Sequence, residues 1–237
     1  MPLKAVRPPT GYEEIDSWSG GFGWLAYPDE AMQRASHALT IDQPDDPDAP
    51  DDVWIVDPLQ APGIDDRLRD LGNVVGVVVL LDRHGRDAAS FARRHDVPLY
   101  LPAWIDIDVP DDVDIVRLTE SLPGTAYELI ETVNLPGWHE AALYDGETLV
   151  LADALGTADY FTTNAEAIGV HPFLRAMPPR ALRDGQLTPA RILLGHGAGI
   201  TARATPALRD AMQGSRRRMP HLYYQLVRQA VPSRPWR

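Results

Sequence analysis

The sequence predicts an α/β chain folded as a four-layer αββα sandwich, and three observations carry that prediction. Residues 74–81, VVGVVVLL, form an almost continuous apolar run of strand length, the signature of a strand covered on both faces. Asp145-Gly146 joins two short apolar stretches, a strong hairpin signal. The second half then repeats the rhythm of the first, strands followed by helical periodicity, which suits two facing sheets with helices outside.

Strands are expected first at Gly21–Tyr27 and within Met32–Ile41. Asp42–Asp52 is rich in aspartate and proline, so like charges repel and backbone donors are missing, and it reads as a solvated loop tip. VWIVDP, residues 53–58, has the composition of a buried strand that stops at an Asp-Pro turn. Apolar residues at 64, 68 and 71 mark one face of a short helix, and Ala88–His95 is helix-like. Pro98–Leu101 is a further short strand and Pro110–Asp114 an acidic turn. Short strands follow at Tyr127–Val133, Ala141–Tyr144 and Thr148–Ala152, then a helix near Ala176–Arg183, a strand at Arg191–Leu194 and a helix at Thr205–Arg217. Thr205 offers an N-cap with Pro206 at the first helical position.

A length of 237 residues suits one domain, 1–237, with N-terminal strands at 21–41, a core at 53–217 and a basic tail at 218–237. The chain has no cysteine, which excludes disulfides and thiolate zinc sites and leaves His, Asp and Glu as candidate ligands. Its formal net charge is −12 and its one lysine is Lys4, so the surface repels nucleic acid and anionic lipid. No secretory h-region opens the sequence and no run approaches the ~18 apolar residues of a membrane span. The expectation is an acidic cytoplasmic protein that binds neither nucleic acid nor membrane and acts on a small molecule; the oligomeric state is left open. No dinucleotide fingerprint, P-loop or nucleophile-elbow motif is present.

Polar, ligand-capable residues follow apolar strands at four places, where an α/β sheet presents its sites. These are Asp82-Arg83-His84-Gly85-Arg86-Asp87, Gly137-Trp138-His139-Glu140, Asp153 after 148–152, and Gly195-His196-Gly197. Each also has a structural reading: a salt-bridged turn at 82–87, a cap at Asp153, a tight turn at His196. His37 is a further residue that could line the cleft, whereas His95 and His221 read as surface groups. Trp24, Trp54, Trp104 and Trp138 read as core and rim packing, with Trp138 placed to wall a pocket.

The order and context of these segments, with Asp57 closing VWIVDP, resemble the metallo-β-lactamase superfamily over roughly 53–217. That family carries His-x-His-x-Asp-His after a strand, a later Gly-His, an Asp after a hairpin strand and a His in a Gly-His-Gly turn. Aligned without gaps, its first motif falls on Asp82, His84, Arg86 and Asp87, so the motif is degenerate and one ligand of four is kept in kind. Trp138 displaces His139 by one position.

The resemblance implies a hydrolase that uses a metal-bound hydroxide at a divergent, mononuclear site. Its ligands would be drawn from His84, His139, Asp153, His196 and Asp82, and Asp87 and Arg86 would serve catalysis. One divalent ion is expected, zinc first, with manganese and iron open, or none. Arg86 has no lone pair and cannot ligate, so there it would supply fixed positive charge toward an anionic substrate or transition state. The alternative is a non-catalytic member of the fold that has lost its metal and serves in binding or regulation.

Overall fold

The computed structural model describes residues 2–43 and 49–230. The middle of the expected loop tip, 44–48, and the end of the expected basic tail, 231–237, lie outside the described residues.

The first sheet has seven strands in spatial order β1 to β7: Glu13–Trp18, Gly21–Leu25, Ala35–Ile41, Asp52–Val56, Asn73–Val78, Leu99–Pro102 and Ile115–Leu118. β1 to β4 run antiparallel as a meander and β4 to β7 run parallel. A parallel step needs a crossover, and α1 (Ile64–Arg69) and α2 (Ala88–His95) supply two of them. The second sheet is built from β8 (Glu128–Leu135), β9 (Trp138–Tyr144), β10 (Thr148–Leu151) and β13 (Arg191–Leu194) in the order β13-β10-β9-β8. The Asp145-Gly146 hairpin joins β9 to β10, with Gly146 at φ 95, the left-handed region that glycine enters without strain. A two-stranded ribbon, β11 (Leu155–Gly156) with β12 (Gly169–Val170), follows β10.

Period-two alternation divides the first sheet between two cores. Trp54, Val56, Val78 and Leu80 face the second sheet and pack with Leu143, Leu149, Val150 and Leu194. Val53, Ile55, Val77 and Val79 face the other way, against Ile64 and Leu68 of α1 and Phe91 and Ala92 of α2. α4 (Ala204–Ala230) adds Leu208 and Met212 to the first core, and α3 (Arg180–Arg183) packs beside it. The order of layers is helix, sheet, sheet, helix, as the sequence predicts. Burying one such Leu or Phe is worth about 1.5–3 kcal/mol, so both cores hold the strand ends in place.

Several elements differ from the sequence expectations. β1, β7, β11 and β12 are additional strands, and the helix expected at 176–183 is confined to Arg180–Arg183. α4 begins at Ala204, so Thr205 lies inside it and bonds the Pro189 carbonyl at 2.8 Å instead of capping. The helix also runs through Pro220 to Ala230 and takes in much of the expected tail.

Candidate metal centre

Four strands end at one edge of the sandwich and aim their following residues at one point. β4 and β5 are parallel in one sheet, β10 and β13 in the other, so their C-terminal ends deliver Asp57, His84, Asp153 and His196 together. Asp57 turns the chain at φ 47. Gly195 lets β13 close on β10: a side-chain carbon there would sit 2.4 Å from the Ala152 carbonyl oxygen.

Each imidazole has its tautomer fixed by its second nitrogen. His84 Nδ1 donates to Asp57 Oδ2 at 2.8 Å, and Asp57 Oδ1 accepts from Leu80 N at 2.9 Å. His196 Nδ1 lies 2.8 Å from the Met32 carbonyl oxygen, a pure acceptor, so this nitrogen carries the hydrogen. The loop before β3 grips the same turn through Ala35 N to Gly195 O and Gly197 N to Gln33 O, both 2.8 Å. The two Nε2 atoms are left with lone pairs directed inward. His84 Nε2 is 3.4 Å and His196 Nε2 2.5 Å from Asp153 Oδ1, and the ligand-capable atoms of the three residues lie within 4.8 Å of one another.

The charges sharpen this picture. Burial drives the His196 pKa down, so the ring is neutral. Burial opposes ionisation of Asp153, but the attraction that His196 and His84 would exert when protonated outweighs it and holds the carboxyl well below the usual carboxylate range. With His196 neutral, two acceptors face each other at 2.5 Å, and neither of these buried atoms has a hydrogen-bond partner among the described residues. An unpaired buried acceptor is costly, and two in contact call for a shared cation. The donor set, two imidazole nitrogens and one carboxylate oxygen, fits one divalent transition metal with a position left open.

Arg86 packs directly against this group of residues. Its φ is 38, and its guanidinium donates to the carbonyls of Ala35 (2.6 Å), Asp57 (2.9 Å) and Gly195 (3.5 Å). Nη2 also stands 3.0 Å from His84 Nε2 and competes for its lone pair. Burial pulls the Arg86 pKa down, without removing a charge that guanidinium keeps in proteins. Four of its five N–H groups are thereby used on the protein, so it does not reach out to a substrate as the sequence suggested. For His84, burial and Arg86 press the pKa down, and Asp57 and Asp153 more than offset them and leave it raised. Since Arg86 can approach only a lone pair, protonation of Nε2 would expel it.

The other expected site residues stand apart from this group. Asp82 and His139 pair with each other: His139 N donates to Asp82 Oδ2 at 2.8 Å and His139 Nδ1 lies 3.3 Å from the same oxygen. Along β9, Trp138 and Glu140 are buried and His139 between them is half-buried, so the one-residue displacement turns its ring to the other face. Asp87 precedes α2 and accepts from Gln60 N at 2.7 Å. His37 lies beneath Gly23, with Nε2 3.5 Å from Asp16. The salt-bridged reading of 82–87 is realised in part, since Arg83 reaches Asp82 Oδ1 at 3.5 Å.

Two buried residues of the centre carried no sequence signal of their role. Glu140 accepts from Trp138 Nε1 (3.1 Å) and from the backbone N–H groups of Asp153 (3.2 Å) and Ala154 (2.9 Å), tying the Asp153 loop to β9. Burial pushes its carboxyl up to about 8. His171, beyond β12, is enclosed by Trp138, Tyr160, Phe161 and Phe173, and its backbone N–H bonds Ala154 O at 3.0 Å. Burial lowers its pKa to about 4. Spacing could not reveal it, because its place depends on a two-residue ribbon.

Solved structures share this architecture. DIM-1 metallo-β-lactamase matches with a TM-score of 0.55 at 11% identity, over 88% of this chain and 99% of its own. The chain has the metallo-β-lactamase fold. A mono-zinc form of the metallo-β-lactamase FIM-1 from Pseudomonas aeruginosa matches at 0.54 and 10% identity, covering 90% of this chain and 99% of that one. A chemotaxis sensor, ODP, described with a peroxy diiron species, matches at 0.54 and 14% identity, covering 85% and 94%. No protein-family model and no curated protein matches the chain. Metallo-β-lactamase-fold proteins thus include zinc and iron proteins.

Proposed function

We propose that this metallo-β-lactamase-fold chain is a cytoplasmic hydrolase of a small ester, thioester or related molecule, dependent on one divalent ion, zinc first. The observation that carries the reading is the contact of two buried acceptors, Asp153 Oδ1 and His196 Nε2, that have no hydrogen-bond partner among the described residues, with His84 Nε2 beside them. When bound, such an ion polarises a carbonyl or phosphoryl oxygen and lowers the pKa of water toward neutrality. The chain's own part is to hold the ligands. Asp57 orients His84, the Met32 carbonyl orients His196, and Glu140 fixes the Asp153 backbone. Trp138, His171 and Phe161 form an apolar wall that excludes water beside the ligands.

The 3.0 Å approach of Arg86 to His84 Nε2 favours a second reading, a metal-free binding or regulatory protein in which guanidinium stands in for an ion. Elemental analysis of untagged protein separates the two. The hydrolase reading expects close to one equivalent of transition metal, lost in His196→Ala. Metal-free protein whose thermal midpoint ignores added zinc and chelator would leave the second reading standing.

A further inference from the structure

The mouth of the centre holds a second guanidinium whose situation is the reverse of the first. Arg83 extends across the site from the solvent side, and its side chain is 42% exposed. Nη2 donates to Asp153 Oδ2 at 3.1 Å, and Nη1 to Gly137 O at 3.1 Å with Asp82 Oδ1 at 3.5 Å. The plane lies over the Trp138 ring, 4.4 Å from its centroid, so the head is held against one wall of the site. A guanidinium has five N–H groups. Among the described residues three find acceptors here, leaving two without a protein acceptor on a side chain that is 42% exposed, whereas Arg86 retains one. The partner of Arg83 is also telling. It takes the outer oxygen of Asp153, while the inner oxygen faces the two imidazoles. An incoming ligand therefore meets a positioned cation beside the ligand cluster, in a protein of formal net charge −12.

We infer that Arg83 is the specificity-determining residue of this mouth and that it selects small molecules bearing an anionic oxygen group, carboxylate or phosphate, placed close to the reacting bond. Guanidinium matches both groups with paired hydrogen bonds, and the Trp138 face behind it restricts the approach to one side. The inference rests on the one-ion reading for its chemistry, though anion binding at Arg83 stands on the local geometry. It gives the substrate class that the ligand cluster leaves open.

The test is calorimetric titration of the zinc-loaded full-length chain with glutarate, with inorganic phosphate and with the neutral pentane-1,5-diol. Wild type is expected to prefer at least one of the two anions over the diol by on the order of ten- to hundredfold, the worth of a hydrogen bond to a charged group. Arg83→Ala abolishes that preference while still holding one zinc per chain, and Arg83→Lys retains part of it. Wild type that does not distinguish either anion from the diol overturns the inference, as does Arg83→Ala that binds them as wild type does. Loss of zinc from Arg83→Ala also overturns it, because Arg83 would then serve to position Asp153. Repeating the titration on chelator-treated protein keeps the two readings apart: if the chain takes no zinc and the Arg83-dependent preference persists, the hydrolase reading falls and the anion site remains.

Discussion

His84 Nδ1 donates a 2.8 Å hydrogen bond to Asp57 Oδ2, and this bond ties the ends of two neighbouring parallel strands together at the ligand cluster. It fixes the tautomer, aims Nε2 at Asp153 and raises the basicity of the ring. Asp57→Asn keeps an oxygen for Leu80 N but no longer offers a charged acceptor to the ring. Zinc affinity, measured by competition with a chelating dye, should fall by about ten- to hundredfold with the fold intact. Unchanged affinity would mean that His84 is not a ligand.

Arg86 should show two effects of opposite sign. Arg86→Met leaves the carbonyls of Ala35, Asp57 and Gly195 short of a donor, and water can replace only some of these bonds because the residue is partly buried. The expected loss in urea unfolding of the metal-free protein is about 2–4 kcal/mol. The same change removes the competitor for the His84 Nε2 lone pair and a cation next to the site. Zinc should bind the folded variant about tenfold more tightly. A variant that loses both stability and zinc would show that Arg86 builds the site and does not restrict it.

The layered fold was legible because its signals are local. Val74–Leu81 announces a doubly covered strand, Asp145-Gly146 a hairpin, and the periodicity of 88–95 a helix with the bounds observed. β1 was not legible, because EEIDSW has little apolar alternation and is held at the sheet edge by pairing with β2. Nor was the length of α4: Pro220 argues for a stop, whereas burial of Leu222 carries the helix past it. At the centre, His84, Asp153 and His196 each followed an apolar strand and could be named. The face occupied by His139 depends on the register of β9, and the acceptors of Arg86 are backbone carbonyls, which leave no mark in a sequence.

Gly195 should tolerate no side chain. A carbon on it would stand 2.4 Å from the Ala152 carbonyl oxygen, and both groups belong to strand ends that cannot swing away as a flexible side chain would. Gly195→Ala should cost about 1–3 kcal/mol, as overpacked positions do, and push His196 away from Asp153. Zinc stoichiometry below one in protein that still unfolds cooperatively would register the displacement. Full occupancy with unchanged stability would mean that β13 and β10 do not approach so closely.

His171 gives a pH dependence whose sign is fixed by its burial. The ring is packed among aromatic side chains and its Nδ1 accepts from Phe173 N at 3.3 Å, so the folded state keeps it neutral down to about pH 4, against 6.5 for an ordinary histidine. In the unfolded chain the ring takes up its proton as pH falls through 6.5, while the folded chain does not. Stability should therefore be highest above that value, decline between 6.5 and 4, and change no further from this group below 4. The full excursion is about 3 kcal/mol. His171→Asn retains an acceptor for the Phe173 N–H, since asparagine is a good cap, but cannot titrate. Urea midpoints of the metal-free proteins near pH 7.5 and pH 4.5 should differ less in the variant than in wild type. Equal differences would mean that the His171 ring is solvated and charged in the folded protein, and with it the apolar wall beside the ligand cluster would be lost.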